Sequence, residues 1–516
     1  MKAMSKLTTI IIAILITSTA CSTDSLPDYT LTIEITPQGA GTTDPLPGGF
    51  DEGANLELEA IPAENYLFDR WEGDLTTESN PADLTMNSDK VITAVFKRAP
   101  LTIGGDGSQA NPYQVHTIDD LVAIGLEENL DKHFVQVSDI DASITIDPEN
   151  DQRFLGIGDE KNPFTGSYDG NGYTIYDMVL NISTDRLHNG MFGYVQEGKI
   201  RDLRIVNNVD FSKTSDPFVV GKAQTVSNEF NIFSKDDITQ LSALGFLVGF
   251  NDGGHIDNCS VQAIVSGESR AVGGLVGTNA GTIESSEFIG IVTSLNVGAG
   301  LVGINTGSIV DSSTDGRASG QTSAGLVGYN MDGEIINSFT TADVRSGFTV
   351  GGLVAHNSGQ IISSFSKENK IFDSTGMIGG LVGQNEGDIE NSYTLTDLSI
   401  FLDQVLDIVS GGLVGENMSG GSVTNSFSAV TFDAPEEGII AGFVGSNEGL
   451  LVDSYWDTES TGKNEGVGEG SPNGTSGLTT AQMTGPAAEQ NMPQFDWVNI
   501  WQTTENGYPV LRWEEE

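Results

Sequence analysis

Eight asparagines recur in the middle of the chain. Each closes the same short phrase: two or three apolar residues, usually a glycine, one free position, then the amide. They are Asn251, Asn279, Asn305, Asn330, Asn357, Asn385, Asn417 and Asn447, spaced 28, 26, 25, 27, 28, 32 and 30 residues apart. A row of amides can do two kinds of chemistry. It can offer donors and acceptors to a ligand, or each amide can bond to the next and to a turn backbone group. Self-bonding is the expectation adopted here, which makes these asparagines a structural ladder.

Acid–base work on sugars needs two or more carboxylates close together on one face, often with a basic residue. Between residues 246 and 460 the basic residues are Arg270, Arg317, Arg345, Lys367 and Lys370, and none stands beside a repeated acidic cluster. Asp236-Asp237 and Glu436-Glu437 fall in expected loops and read as solvated pairs. Five histidines are spread over the chain with no Ser-His-Asp order, no His-Glu-x-x-His and no phosphate loop. His255 and His356 are isolated beside turns and are expected to be exposed. Asp169-Gly170-Asn171-Gly172 has the opening of a calcium loop, but no acid follows at the spacing an EF-hand needs. No catalytic residue, metal site or cofactor is therefore expected.

A period near 28 residues is one coil of a solenoid. Such a coil fits a β-helix rung of two or three short strands, stacked at about 4.8 Å. Leu275, Val276 and their equivalents supply inward stacks. An apolar residue after each turn leads three positions on to a small one: Ile283 to Ser286, Ile309 to Ser312, Ile361 to Ser364, Ile389 to Ser392, Val423 to Ser426. Cys259 takes that place after Ile256, which fits a tight buried column and not a reactive thiol. Phe339, Phe365, Tyr393, Phe427 and Tyr455 follow the small residue in later copies and are expected to stack.

The best copies are Gly273-Gly274-Leu275-Val276-Gly277-Thr278-Asn279 and Gly379-Gly380-Leu381-Val382-Gly383-Gln384-Asn385. At these residues the array resembles the GLUG motif, and that resemblance implies a bacterial surface protein. GLUG motifs also occur beside extracellular peptidase domains, but no peptidase motif is present. The fold class expected is all-β: a parallel β-helix of GLUG repeats over residues 241–460, preceded by a small β domain. Residues 105–240 would supply an N-terminal cap and the first coils, with a short helix capped by Thr117 and an excursion at 210–240. Residues 461–475 read as a Gly-rich polar loop. Residues 461–516 as a whole, with Trp497, Trp501 and Trp513, read as a C-terminal cap resembling the tail of GLUG-containing proteins.

Residues 30–98 form a separate unit. Its phrase Tyr66-Leu67-Phe68-Asp69-Arg70-Trp71-Glu72-Gly73-Asp74, followed by Asn80-Pro81 and residues 86–96, resembles the divergent InlB-type B-repeat of bacterial surface proteins. Tyr66, Phe68 and Trp71 match its aromatic core, although an exposed Trp71 would instead suit sugar stacking. Residues 1–20 carry Lys2 and Lys6, an apolar run over 7–16, and Thr19-Ala20 before Cys21. This reads as a secretory signal. It resembles a bacterial lipoprotein signal, which implies cleavage before Cys21, lipid on its sulfur and residues 21–29 as a tether. Ser18 stands where that motif prefers leucine.

The 72 acids and 23 bases give a net charge of −49. Such a field repels nucleic acid and anionic lipid, so membrane contact is expected only through the N-terminal lipid. The reading is an exported, cell-envelope β-helix that acts as an adhesion or ligand-binding scaffold for an extracellular glycan or protein. A polysaccharide lyase or hydrolase and a passive spacer are the alternatives.

Overall fold

The computed structural model describes residues 29–63, 66–98, 104–146, 154–183, 185–207, 235–400, 408–434 and 438–515. The signal over 1–20, Cys21, most of the tether, most of the 210–240 excursion and Glu436-Glu437 lie outside the described residues. The chain divides into two compact units, Met1–Thr102 and Ile103–Glu516.

In the first unit, β1 (Tyr29–Thr36), β3 (Gly48–Phe50), β5 (Tyr66–Gly73) and β7 (Lys90–Arg98) make one sheet, in the order β3-β1-β7-β5. A second, three-stranded sheet joins β2 (Gly41–Asp44), β4 (Asn55–Pro62) and β6 (Ala82–Thr85). Period-two alternation sends Ile92, Ala94 and Phe96 to the core and leaves Val91 exposed. Trp71 is fully buried, with Phe68 5.4 Å away between ring centroids. It is therefore core and not a stacking platform.

The second unit is a parallel β-solenoid with three stacked faces. The first face has ten strands, from Phe192–Gln196 to Val467–Gly470. The second has twelve, from Tyr113–Val115 to Leu450–Val452. The third has 21, because most coils cross it twice. In the coil of Asn279 the strands are Val276–Asn279, Thr282–Glu284, Glu287–Ser294 and Val297–Ala299. Leu275, Val276, Ile283 and their equivalents are buried inside, each worth about 1.5–3 kcal/mol of burial.

The glycines of the repeat make close approach possible. A Cβ on Gly379 would sit 1.8 Å from the Val382 carbonyl oxygen. A further column went unread in the sequence. Asn258, Ser285, Asp311, Asn337, Ser363, Asn391, Asn425 and Asp453 all have φ between 46° and 51°. Each directly precedes Cys259 or a column serine and turns the chain from the second face to the third. Asn and Asp tolerate this left-handed conformation better than other side-chain-bearing residues.

The N-terminal helix forms as expected. In α1 (Ile118–Ile124), Thr117 Oγ1 accepts from the Asp120 N–H, and Asp120 Oδ2 accepts from the Thr117 N–H. Leu121 and Ile124 are buried, and the helix ends at Gly125 against Gly156 and Ile157. The C-terminal region departs from expectation in two ways. Residues 461–475 are not only loop: Val467–Gly470 and Thr475–Leu478 add a further partial coil to the first and third faces. The tail after Leu478 runs back along the side of the stack, against the expected aromatic column. Ring centroids of Phe339, Phe365, Tyr393 and Phe427 follow one another at 5.0, 4.9 and 5.0 Å. Trp501 packs on Tyr393 and Phe427, and Trp513 on Phe339 and Phe365. The Trp513 indole donates to the Ser363 carbonyl at 3.0 Å. Glu514 accepts from Tyr393 Oη at 3.0 Å and from Lys367 Nζ at 2.7 Å.

Candidate binding cleft

The asparagine column is buried along its whole length. From Asn251 to Asn447 every Nδ2 donates to the next Oδ1 at 2.8 Å. The second amide proton of Asn251, Asn279, Asn305, Asn330, Asn357 and Asn385 goes to a glycine carbonyl in the same coil's turn. Asn447 donates instead to the Ser471 carbonyl at 2.8 Å. The row starts at Asn251 because Val195 holds the equivalent place one coil earlier. Val195 has no amide, and Asn251 Oδ1 is buried without a partner.

The small-residue column is also used up internally. Each serine hydroxyl donates to the carbonyl two residues before it, at 2.7–2.9 Å. Each Oγ accepts from the backbone N–H of the preceding coil, at 3.1–3.3 Å. Cys259 begins this column, and burial pushes its thiol up to about 12, which keeps it protonated and unreactive.

His255 keeps an exposed ring, 3.3 Å from Glu284. His356 does not, and this corrects the expectation for it. Its position is the free one in the repeated phrase, and the equivalent residues of adjacent coils close over it. Tyr329 lies 5.3 Å from its ring and Gln384 Oε1 2.9 Å from Nδ1. Burial lowers its pKa. His188 is wholly buried between Tyr194 and Phe250, and burial lowers its pKa too, against the pull of Glu160.

Outward polar residues gather on the second face of the first coils. Strands His133–Gln136, Ser167–Asp169 and Lys199–Arg201 stack in parallel register. His133, Ser167 and Lys199 form one outward row at the rung spacing of about 4.8 Å; Val135, Asp169 and Arg201 form the next. These two rows floor a cleft of about 660 Å³. Gln109, Pro112, Thr165 and Glu197 complete its lining. Volume in this range is typical of small-ligand sites. Beside the cleft is a turn in which Asp106 accepts from the Ser108 N–H; the Ser108 hydroxyl first, and this N–H second, hold the Asp106 carboxyl below the usual range. The His133 N–H donates to the Gly107 carbonyl at 3.0 Å. Gly166 admits the neighbouring strand, since a Cβ there would lie 1.8 Å from the Lys132 carbonyl oxygen.

Within the cleft, His133 Nδ1 and Ser167 Oγ are 2.8 Å apart. A nucleophilic serine needs a base that is itself oriented by a third group. Among the described residues no carboxylate bonds the other nitrogen of His133. Asp169 Oδ2 holds the Arg201 guanidinium, and its Oδ1 accepts from the Asn171 N–H at 2.8 Å. The calcium-like phrase is thus occupied by a turn and an ion pair. No sequence period marks this cleft; its signal was Lys199-Ile200-Arg201, an alternating cationic strand in an acidic chain.

The divergent InlB B-repeat domain family matches residues 31–100. Halomucin of Haloquadratum walsbyi is 31% identical over 185 residues, 34% of this chain and 2% of halomucin. A protein of Evansella cellulosilytica named as a Gly-rich membrane protein is 35% identical over 106 residues, 20% of this chain and 12% of its own length. The chain thus spans a small part of either relative. A solved structure named as an immunoglobulin A1 protease from Bacteroides ovatus aligns at 16% identity with a TM-score of 0.38, over 79% of this chain and 94% of that one.

Proposed function

We propose that the chain is an exported cell-envelope scaffold, lipid-anchored at Cys21, whose GLUG-type coils hold out a binding surface for an extracellular glycan or protein without catalysis. One observation carries this reading. The recurrent polar columns are buried and spend their hydrogen bonds on one another, so contact with a partner falls to the non-repeated outward residues. The cleft over Ser167 and Lys199 is where such residues converge. The B-repeat match and the names of the two relatives fit a surface setting. The charge of −49 fits a long β protein kept soluble outside the cell.

The test is a binding array of neutral glycans, anionic glycans and matrix proteins, probed with the chain lacking residues 1–21, with and without calcium. Binding to at least one class is expected. No binding to any, with a melting temperature unmoved by calcium, would overturn the scaffold reading. Depolymerisation of any polysaccharide would overturn its non-catalytic part. Metabolic labelling with a radioactive fatty acid tests the anchor: label is expected on the whole chain and lost in Cys21→Ser.

A further inference from the structure

Lys199 lines the cleft beside Ser167 in the outward row, and among the described residues it has no acidic partner. Lys97 pairs with Asp69, Lys132 with Asp131 and Lys367 with Glu514, whereas Lys199 combines an unpaired charge with a place in the cleft lining. We propose that the cleft seats one carboxylate-bearing sugar unit, with its anionic group against Lys199 and Arg201. The proposal rests on the binding-scaffold reading and narrows it to acidic saccharides.

The geometry supplies the complementary parts. Asp169 fixes Arg201, with Asp202 3.9 Å from its Nε, and Asp169 is itself fixed by the Asn171 N–H, so the guanidinium is held in place with an N–H left to offer a ligand. One rung away, Ser167 and His133 offer a hydroxyl and a ring nitrogen to sugar hydroxyls. Glu197 in the lining can accept from a further hydroxyl. Charge range sets the size of the ligand. At physiological salt an electrostatic field fades over about 8 Å, so a single carboxylate in the cleft feels mainly the unpaired Lys199, with Arg201 already shared with Asp169 and Asp202. A densely charged polymer such as nucleic acid would meet the acidic remainder of the surface and be repelled.

Isothermal titration of the chain lacking residues 1–21 with a trimer of a uronic acid, and with the same trimer as its methyl ester, tests this. The free acid is expected to bind and the ester to bind about tenfold more weakly, the usual worth of one charged hydrogen bond. Lys199→Gln should weaken the acid by about tenfold and leave the ester unchanged. Lys370→Gln, an exposed lysine in a later coil, should change neither. Equal affinity for acid and ester, indifference to Lys199→Gln in a variant with unchanged melting temperature, or no binding of the trimer would each overturn the proposal. If the array still finds another partner, the scaffold reading survives that result. If the array is blank as well, both fall.

Discussion

The coil of Val195 and the coil of Asn357 share one backbone path but differ in what their side chains do. In the later coil, Asn357 and Ser364 are bonded above and below, and the aromatic column beside them is covered by the tail. In the earlier coil, Val195 and Leu203 stand in the two ladder columns, Asn251 Oδ1 is left unmatched, and the outward face opens into the charged cleft. Regular coils turn their polar groups inward and exhaust them there. Irregular coils keep theirs facing water, where a ligand can reach them.

The sharpest way to break this contrast is to strip the later coils of their cover. Truncation after Leu478 bares Phe365, Tyr393, Phe427 and Tyr455 and should cost on the order of 5 kcal/mol or more, seen as a fall in melting temperature and dye binding to exposed apolar surface. Trp501→Ala alone should cost about 3–5 kcal/mol. An unchanged melting temperature would mean that the tail is decoration.

Next in size is the ladder itself. Asn357→Ala strands an amide on each side and should cost about 2–3 kcal/mol in urea unfolding. Asn251→Ala should cost less, because its Oδ1 already lacks a partner. Equal losses at the two sites would refute the idea that the ladder has an open end at Val195.

Acid gives a smaller effect. His188 and His356 are buried neutral, with folded pKa values below the ordinary 6.5. The unfolded chain then binds more protons below about pH 6.5, so stability is full above that pH and declines as pH falls toward the folded values. His356→Gln should flatten that decline in melting-temperature scans; an unaltered slope would clear His356 of the effect.

The smallest change expected is a gain. Cys259→Ser gives the Leu203 N–H a better acceptor and should add about 0.5–1 kcal/mol, read as a higher urea midpoint. A loss would show that the thiol's apolar packing outweighs the missing bond.

The array was legible because its columns repeat. Asn, Leu-Val, Ser and the aromatics recur in register, and stacking turns a repeat into a column whatever the loops between do. The left-handed column was equally periodic but was hidden by its mixed chemistry, with Asn, Asp and Ser sharing one place. His356 was misread because its exposure depends on Tyr329 and Gln384 in the coils on either side, which no local pattern reports. The cleft was illegible for a related reason. His133, Ser167 and Lys199 lie 34 and 32 residues apart in coils without a clear phrase, and only the parallel register brings them together.

The returning tail also sets how the solenoid bears force. Hydrogen bonds between coils point along the stack, so a pull on the last coil would peel coils one at a time, loading few bonds at once. Trp513 and Glu514 instead anchor the tail to Ser363, Lys367 and Tyr393, several coils inside the end. Tension arriving through these residues bypasses the last coils and enters where neighbours brace both sides. The weakest coil is then no longer the first to feel the load.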